Sequence, residues 1–359
     1  MLGGKPATRL ALNAFFPAYY FFMKQHYLLG CLLAAGLGAG CQQDKYLLEV
    51  YATTRYEVLR LPAPAEAANL LTVAFPSASA GYVGGEGGVL YATTNGGQTW
   101  TSRTQPALGD MRKLYFASAT AGWAATSNGL YATTNGGQTW QRAQYATAIG
   151  PYGYIGAAWD VRFVSAQVGY AAGATGDLLK TTNGGASWAD QLPAGHQRFE
   201  LRAVSFASPD SGQVVGEGAH YVTSNGGRTW SLYPSYMGYD VLAYGKGRYL
   251  KAAGPKGFSD NPAIGSGYGD TRYVDNNLNW PVYALARYGG AGGPVAAVGE
   301  NTLIRYDPEF SVQPDLTPWT YVRTPEGTSF SATFRAAAYA DAHTLYAVGD
   351  QGTLYRFIN

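Results

Sequence analysis

The chain has 359 residues, with 25 lysines and arginines against 23 aspartates and glutamates, 48 glycines and only two cysteines. A near-neutral charge leaves no basic field of the kind that holds a phosphate backbone, so nucleic acid is not an expected partner. With both cysteines inside the first 41 residues, the rest can build neither disulfides nor thiolate metal sites. His196, His220 and His343 are far apart, and no metal or other cofactor is expected.

Taken in order, the chain opens on a segment that reads as an address. Lys24 precedes an apolar run, Tyr27 to Leu37, which ends in Gly38, Ala39 and Gly40 before Cys41. A basic start, a short apolar run and small residues at the cut describe a secretory signal. The run is too short for a spanning helix, which takes about 20 residues. With Cys41 behind Gly40 it resembles a bacterial lipoprotein signal, which implies an acylated Cys41 and an anchor in the cell envelope, at the outer membrane or facing the periplasm. Gly38 departs from the leucine usual there. Cys31, behind Leu28, Leu29 and Gly30, fits that box better but follows too little apolar run. Met23 is an alternative start, and plain secretion is the alternative to the anchor. Residues 1–41 are thus expected to be a leader, 42–53 a tether and 54–359 the fold. Without Lys5, Arg9 and Lys24 the mature chain carries 22 basic against 23 acidic residues.

Arg55 to Pro62 alternates as an outer strand would, with no sheet before it. Then a pattern repeats. An apolar run ends in an aromatic, a small-residue strand and a glycine turn follow, and TTNGGQTW closes the unit at Thr93–Trp100. The octapeptide returns at Thr133–Trp140, as TTNGGASW at Thr181–Trp188 and as TSNGGRTW at Thr223–Trp230, with the asparagines 40, 48 and 42 residues apart. A period of about 40 to 50 residues with four strands per unit fits a propeller blade. The aromatics Phe75, Phe116, Phe163, Phe206, Tyr244, Tyr288 and Tyr339 mark seven units. The last lacks an outer strand, which Arg55–Pro62 supplies if it pairs near Thr353–Ile358. The expected fold is an all-β, seven-bladed β-propeller closed by its two termini, which leaves no bare edge.

In each octapeptide Asn followed by Gly is a hairpin signal, because both central residues of a type I′ turn take positive φ. The structural turn residues are Asn95, Gly96 and Trp100; Asn135, Gly136 and Trp140; Asn183, Gly184 and Trp188; and Asn225, Gly226 and Trp230. Each tryptophan should pack between units while its indole N–H finds a partner. The octapeptide resembles the Asp-box (BNR repeat) of sialidases and other propellers, with Asn in place of Asp; in that family the box is a turn remote from any active site. The whole repeat resembles the seven-bladed propellers related to the photosystem II assembly and stability factor. That resemblance implies a non-catalytic protein that holds or helps assemble other proteins.

Strand counting puts the octapeptides on one face, and the turns between second and third strands, with the links between blades, on the other. That second face collects Glu86, Glu217, Glu300 and Asp350 in equivalent turns, and loops carrying Tyr145, Tyr152 and Tyr154 and Tyr233, Tyr236 and Tyr239. Glu300, Asp350 and Glu86 would form an acidic arc, unless acids stand there only as turn formers. The tyrosines offer flat contact area at low entropic cost or pack blade on blade. The reading is a monomeric binding protein that recognises a protein partner through Glu86, Tyr152, Tyr154, Glu217, Tyr236, Glu300 and Asp350. A carbohydrate ligand or sialidase-like glycoside hydrolysis is the alternative. For catalysis the sequence offers only Leu59-Arg60-Leu61-Pro62, which resembles the sialidase FRIP, with no further arginine before Arg103 and no aspartate between Asp44 and Asp110.

Overall fold

The computed structural model describes residues 52–53, 55–62, 68–146, 155–192, 199–234, 238–243, 249–252, 258–261, 272–273, 281–289, 293–306 and 319–358. The leader with Cys41, most of the tether, Tyr152, Tyr154 and Tyr236 lie outside them. Within these residues the chain is an all-β propeller. Its strands sort into six four-stranded sheets and one five-stranded sheet, numbered here one to seven in the order of their innermost strands.

Those strands are Leu70–Ala74, Met111–Phe116, Ala158–Phe163, Leu201–Phe206, Asp240–Ala243, Val282–Arg287 and Phe334–Tyr339. Each packs against the next, and the last packs against the first. The N-terminal strand Arg55–Val58 pairs antiparallel with Leu354–Ile358, with Arg55 opposite Ile358, and completes sheet seven. Just before it, Ala52–Thr53 lies parallel to Val322–Arg323 and becomes the fifth strand of sheet six. The end of the expected tether is therefore already part of the fold.

A repeated aromatic stack joins consecutive sheets. Tyr82 of sheet one lies on Phe116 of sheet two with centroids 3.6 Å apart. Trp123 meets Phe163 at 4.2 Å, Tyr170 meets Phe206 at 4.1 Å, and Tyr346 of sheet seven meets Phe75 of sheet one at 4.2 Å. The octapeptide tryptophans Trp100, Trp140, Trp188 and Trp230 stand edge-on to the same phenylalanines. Such pairs add about 0.5–1.5 kcal/mol each to the gain from burial. The glycine opening each second strand makes room for the ring: a Cβ on Gly81, Gly122, Gly169 or Gly212 would lie 2.3–2.8 Å from its phenylalanine. The marker fails in sheet six, where Arg287 takes the strand position of the phenylalanines and Tyr288, one residue later, is 38% exposed.

The octapeptides turn differently from the expected type I′ geometry. Positive φ falls on the two glycines, 62° and 76° at Gly96 and Gly97, and not on the asparagine. The asparagine acts through its side chain. Asn95 Oδ1 accepts from Thr93 Oγ1 and from the Thr99 backbone N–H, each at 2.9 Å, and Nδ2 donates to Thr99 Oγ1 at 2.9 Å. All four copies repeat these bonds, with Ser187 replacing threonine in the third. The N–H of Gly96 donates to Ser79 O, and those of Gly136, Gly184 and Gly226 to Thr120, Gln167 and Asp210 O, so each octapeptide is tied to the turn between its sheet's first two strands. The tryptophans are buried or nearly so, as expected. Only Trp100 donates its indole N–H, to Gly97 O at 3.1 Å; those of Trp140, Trp188 and Trp230 are buried without an acceptor.

Candidate functional site

The face opposite the octapeptides is organised by one backbone irregularity. In six of the seven innermost strands the register with the second strand skips a residue, between Leu70 and Thr72, Met111 and Lys113, Ala158 and Asp160, Leu201 and Ala203, Val282 and Ala284, and Phe334 and Ala336. A bulge of this kind re-aims the extra side chain. The residues so displaced are Leu71, Arg112, Trp159, Arg202, Tyr283 and Arg335, and Tyr239 precedes the innermost strand of sheet five at the corresponding place.

Six of these seven side chains touch in sequence around the inner rim. The Arg112 guanidinium lies over the Trp159 ring at 3.8 Å from the centroid, and Arg202 covers the same ring at 4.5 Å. Arg202 also faces Tyr239 at 5.5 Å, Tyr239 meets Tyr283 edge-on at 5.6 Å, and Arg335 lies over Tyr283 at 5.0 Å. A cation over an aromatic face is stabilised by about 0.5–2 kcal/mol, more where water is displaced. Leu71 interrupts the chain of contacts. Arg335 grips Asp350 with two bonds of 2.8 Å, and Arg202 pairs with Glu200 at 2.6 Å. Among the described residues Arg112 forms no ion pair as close as these; burial lowers its pKa against the pull of Asp110 and Glu200. Burial likewise raises the pKa of Tyr283.

Three donors in this arc are buried with no acceptor: Arg112 Nη1, Trp159 Nε1 and Arg202 Nε. An unsatisfied buried donor costs about 1–3 kcal/mol.

The acidic turn residues stand on the same face but act chiefly through their backbones. The N–H groups of Glu86, Glu217, Glu300 and Asp350 donate to the carbonyls of Asn69, Glu200, Pro281 and Thr333 at 2.9–3.1 Å. Each of these carbonyls lies two residues before a bulged residue. The approach is so close that a Cβ on the preceding glycine would meet the same oxygen, at 1.8 Å for Gly216, Gly299 and Gly349 and 2.4 Å for Gly85. The Glu86 carboxylate accepts from Asn69 Nδ2, both oxygens at 3.1 Å, and Asp350 is held by Arg335. Two of the expected acidic arc are thus engaged within the protein. Tyr145 is packed against the core, where burial pushes its pKa up to about 12, and Tyr233 sits on the outer strand of sheet four, 39% exposed. Arg60 is exposed beyond the end of its strand. Among the described residues no group of three His, Cys, Asp or Glu is placed to hold a metal ion.

The bulged arginines and aromatics were missed by sequence reading, though the signal was there. In MRKL, Met111 and Leu114 are buried three apart with Arg112 and Lys113 less buried between them, which breaks strand alternation at the extruded position.

The family model described as photosynthesis system II assembly factor YCF48 matches residues 48–152 and 154–236. No curated protein matches. Among solved structures, "YCF48 bound to D1 peptide" superposes with a TM-score of 0.65 at 16% identity, covering 88% of this chain and 99% of that one. YCF48 from Cyanidioschyzon merolae superposes at 0.60 with 15% identity, over 84% and 98% of the two chains. The WD40 propeller domain of Doa1 superposes at 0.61 with 11% identity, over 85% and 97%.

Proposed function

Because the chain belongs to the photosystem II assembly factor YCF48 family, we propose that it is an assembly-factor-like propeller that binds a segment of a partner protein across the rim opposite its octapeptides. The single observation that carries the site is the bulged rim on which the guanidiniums of Arg112 and Arg202 are set against one indole ring, that of Trp159. A solved relative, YCF48, is described as bound to a D1 peptide, which supports a polypeptide ligand here. Membership of this family also agrees with the expectation of a non-catalytic protein. The seven sheets act as seven blades of one ring, and Tyr152, Tyr154 and Tyr236 contribute to recognition of the partner. Acylation of Cys41 holds the protein, as a monomer, at the cell envelope, and its N-terminal strand carries the tether.

The test is capture of partners from solubilised envelope by the tagged chain, followed by quantitative mass spectrometry. Arg112→Gln with Arg202→Gln should lower capture of the specific partner at least about tenfold, the loss of roughly one good charged hydrogen bond, while the melting temperature stays within a few degrees. Capture that survives both changes would remove the rim from the reading. Release by free sugar would assign the face to a glycan. For the anchor, Cys41→Ser should move the protein from the membrane to the soluble fraction.

A further inference from the structure

Just inside the rim a second set of side chains ties the innermost strands to one another. In sheets one, three and five the residue after the rim residue is Thr72, Asp160 or Asp240, and each accepts a hydrogen bond from the next sheet. Thr72 Oγ1 accepts from Leu114 N, Asp160 Oδ2 from Val204 N and Asp240 Oδ2 from Leu285 N, all at 2.9 Å. Each of these donors stands two residues after a rim residue, Arg112, Arg202 or Tyr283. The rim is thereby clamped in pairs, sheet one to two, three to four and five to six. Two of the clamps are charged, and one cation joins them. Arg162 of sheet three pairs with Asp160 Oδ2 at 3.1 Å and with Asp240 Oδ1 at 2.7 Å, so it reaches sheet five past sheet four. Both carboxylates are buried. Sheet four holds Ala203 at the place of the two aspartates and offers Arg162 no side-chain oxygen there.

A buried ion pair adds little net stability over apolar packing, and its best-supported use is to fix one arrangement of the chain. We propose, on the partner-binding reading of the rim, that Arg162 is a positioning residue. By holding Asp160 and Asp240 together it sets their chain neighbours Trp159 and Tyr239 on either side of Arg202 in one fixed arc. The guanidinium fork suits this task, since it can grip two carboxylates at once where an ammonium is a single point of charge.

The experiment reads the rim by fluorine NMR of the full chain labelled with fluorotryptophan, with Trp159→Phe identifying the Trp159 line. Asp240→Asn still offers an oxygen to Leu285 N but turns an amide N–H toward Arg162. It should shift or broaden the Trp159 line and leave those of Trp100, Trp140, Trp188 and Trp230 in place. In an Arg162→Met background the same change should no longer move the Trp159 line, because the two sites are coupled through the guanidinium. Arg162→Lys provides the background where Arg162→Met does not fold. Capture of the partner should fall about tenfold in Asp240→Asn, with no further fall when the change is added to Arg112→Gln, Arg202→Gln. An unmoved Trp159 line, an equal shift without Arg162, or a shift of all the tryptophan lines together would each overturn the positioning role. Capture that is insensitive to the rim arginines would instead overturn the binding role of the rim, while the fluorine spectrum still decides what Arg162 holds in place.

Discussion

The two ends of each innermost strand obey different rules. Toward the octapeptides, sheets one to four set a phenylalanine, a facing glycine and an edge-on tryptophan in the same arrangement each time. At the other end one bulge recurs, but the side chain it displaces changes from Leu71 to Arg112, Trp159, Arg202, Tyr283 and Arg335. Repetition at one end and variety at the other, on a common backbone, separates what closes the ring from what the ring presents. A residue that must fit the neighbouring sheet is constrained to one shape; a residue turned out by a bulge is free to take any chemistry a partner requires.

The contrast can be broken most severely at the repeated end. Phe116→Ala removes a ring stacked on Tyr82 and edge-on to Trp140, and should cost about 3–5 kcal/mol in denaturant unfolding, with the surviving folded fraction still binding its partner. Gly212→Ala places a Cβ 2.4 Å from the Phe206 ring and should cost about 1–3 kcal/mol as an overpacked site. At the varied end the sign of the contrast reverses. Trp159→Leu should lower partner capture about tenfold, since both flanking guanidiniums lose their aromatic face, yet change unfolding by less than about 1 kcal/mol. A large unfolding loss there would show Trp159 to be core.

A smaller effect sharpens the seam itself. Tyr170 donates to Gly226 O at 2.9 Å, and Lys180 Nζ reaches the same oxygen at 2.6 Å. Burial lifts the Tyr170 pKa from 10.0 to about 12. The folded state therefore holds this proton more tightly than the unfolded chain does. The contribution is whole below pH 10 and disappears as pH rises through about 12. Tyr170→Phe should cost about 1 kcal/mol at neutral pH and flatten the loss of stability between those pH values, measured by denaturant titrations at each pH. Smallest of all, Asn95→Asp should be nearly neutral, because Oδ1 does the accepting and Thr99 Oγ1 can turn from acceptor to donor.

The architecture was legible because its cause is local. Four octapeptides and a recurring aromatic gave the period, and Arg55–Pro62 read as an outer strand in search of a sheet, of which Arg55–Val58 forms the strand. The marker misled at Tyr288, where an arginine and not an aromatic holds the equivalent place. The type I′ expectation failed since the dipeptide rule ignores a second glycine able to take the left-handed conformation. The sequence reading and the bulged rim point to the same face of the ring but to different residues on it. Glu86 and Asp350 drew attention by their chemistry, whereas Arg112, Trp159 and Arg202 hid inside strands that read as ordinary apolar runs.

The octapeptide geometry also bears on how the protein ages. An asparagine followed by glycine is the sequence most prone to spontaneous deamidation, which begins when the glycine nitrogen attacks the asparagine side-chain carbonyl carbon. At the four octapeptide steps that nitrogen is already donating to a carbonyl of a neighbouring turn, and the asparagine amide is fixed by its threonine or serine neighbours. Folding thus shields the octapeptide bonds, and aspartate or isoaspartate accumulating at Asn95, Asn135, Asn183 or Asn225 would serve as a chemical record of time spent unfolded.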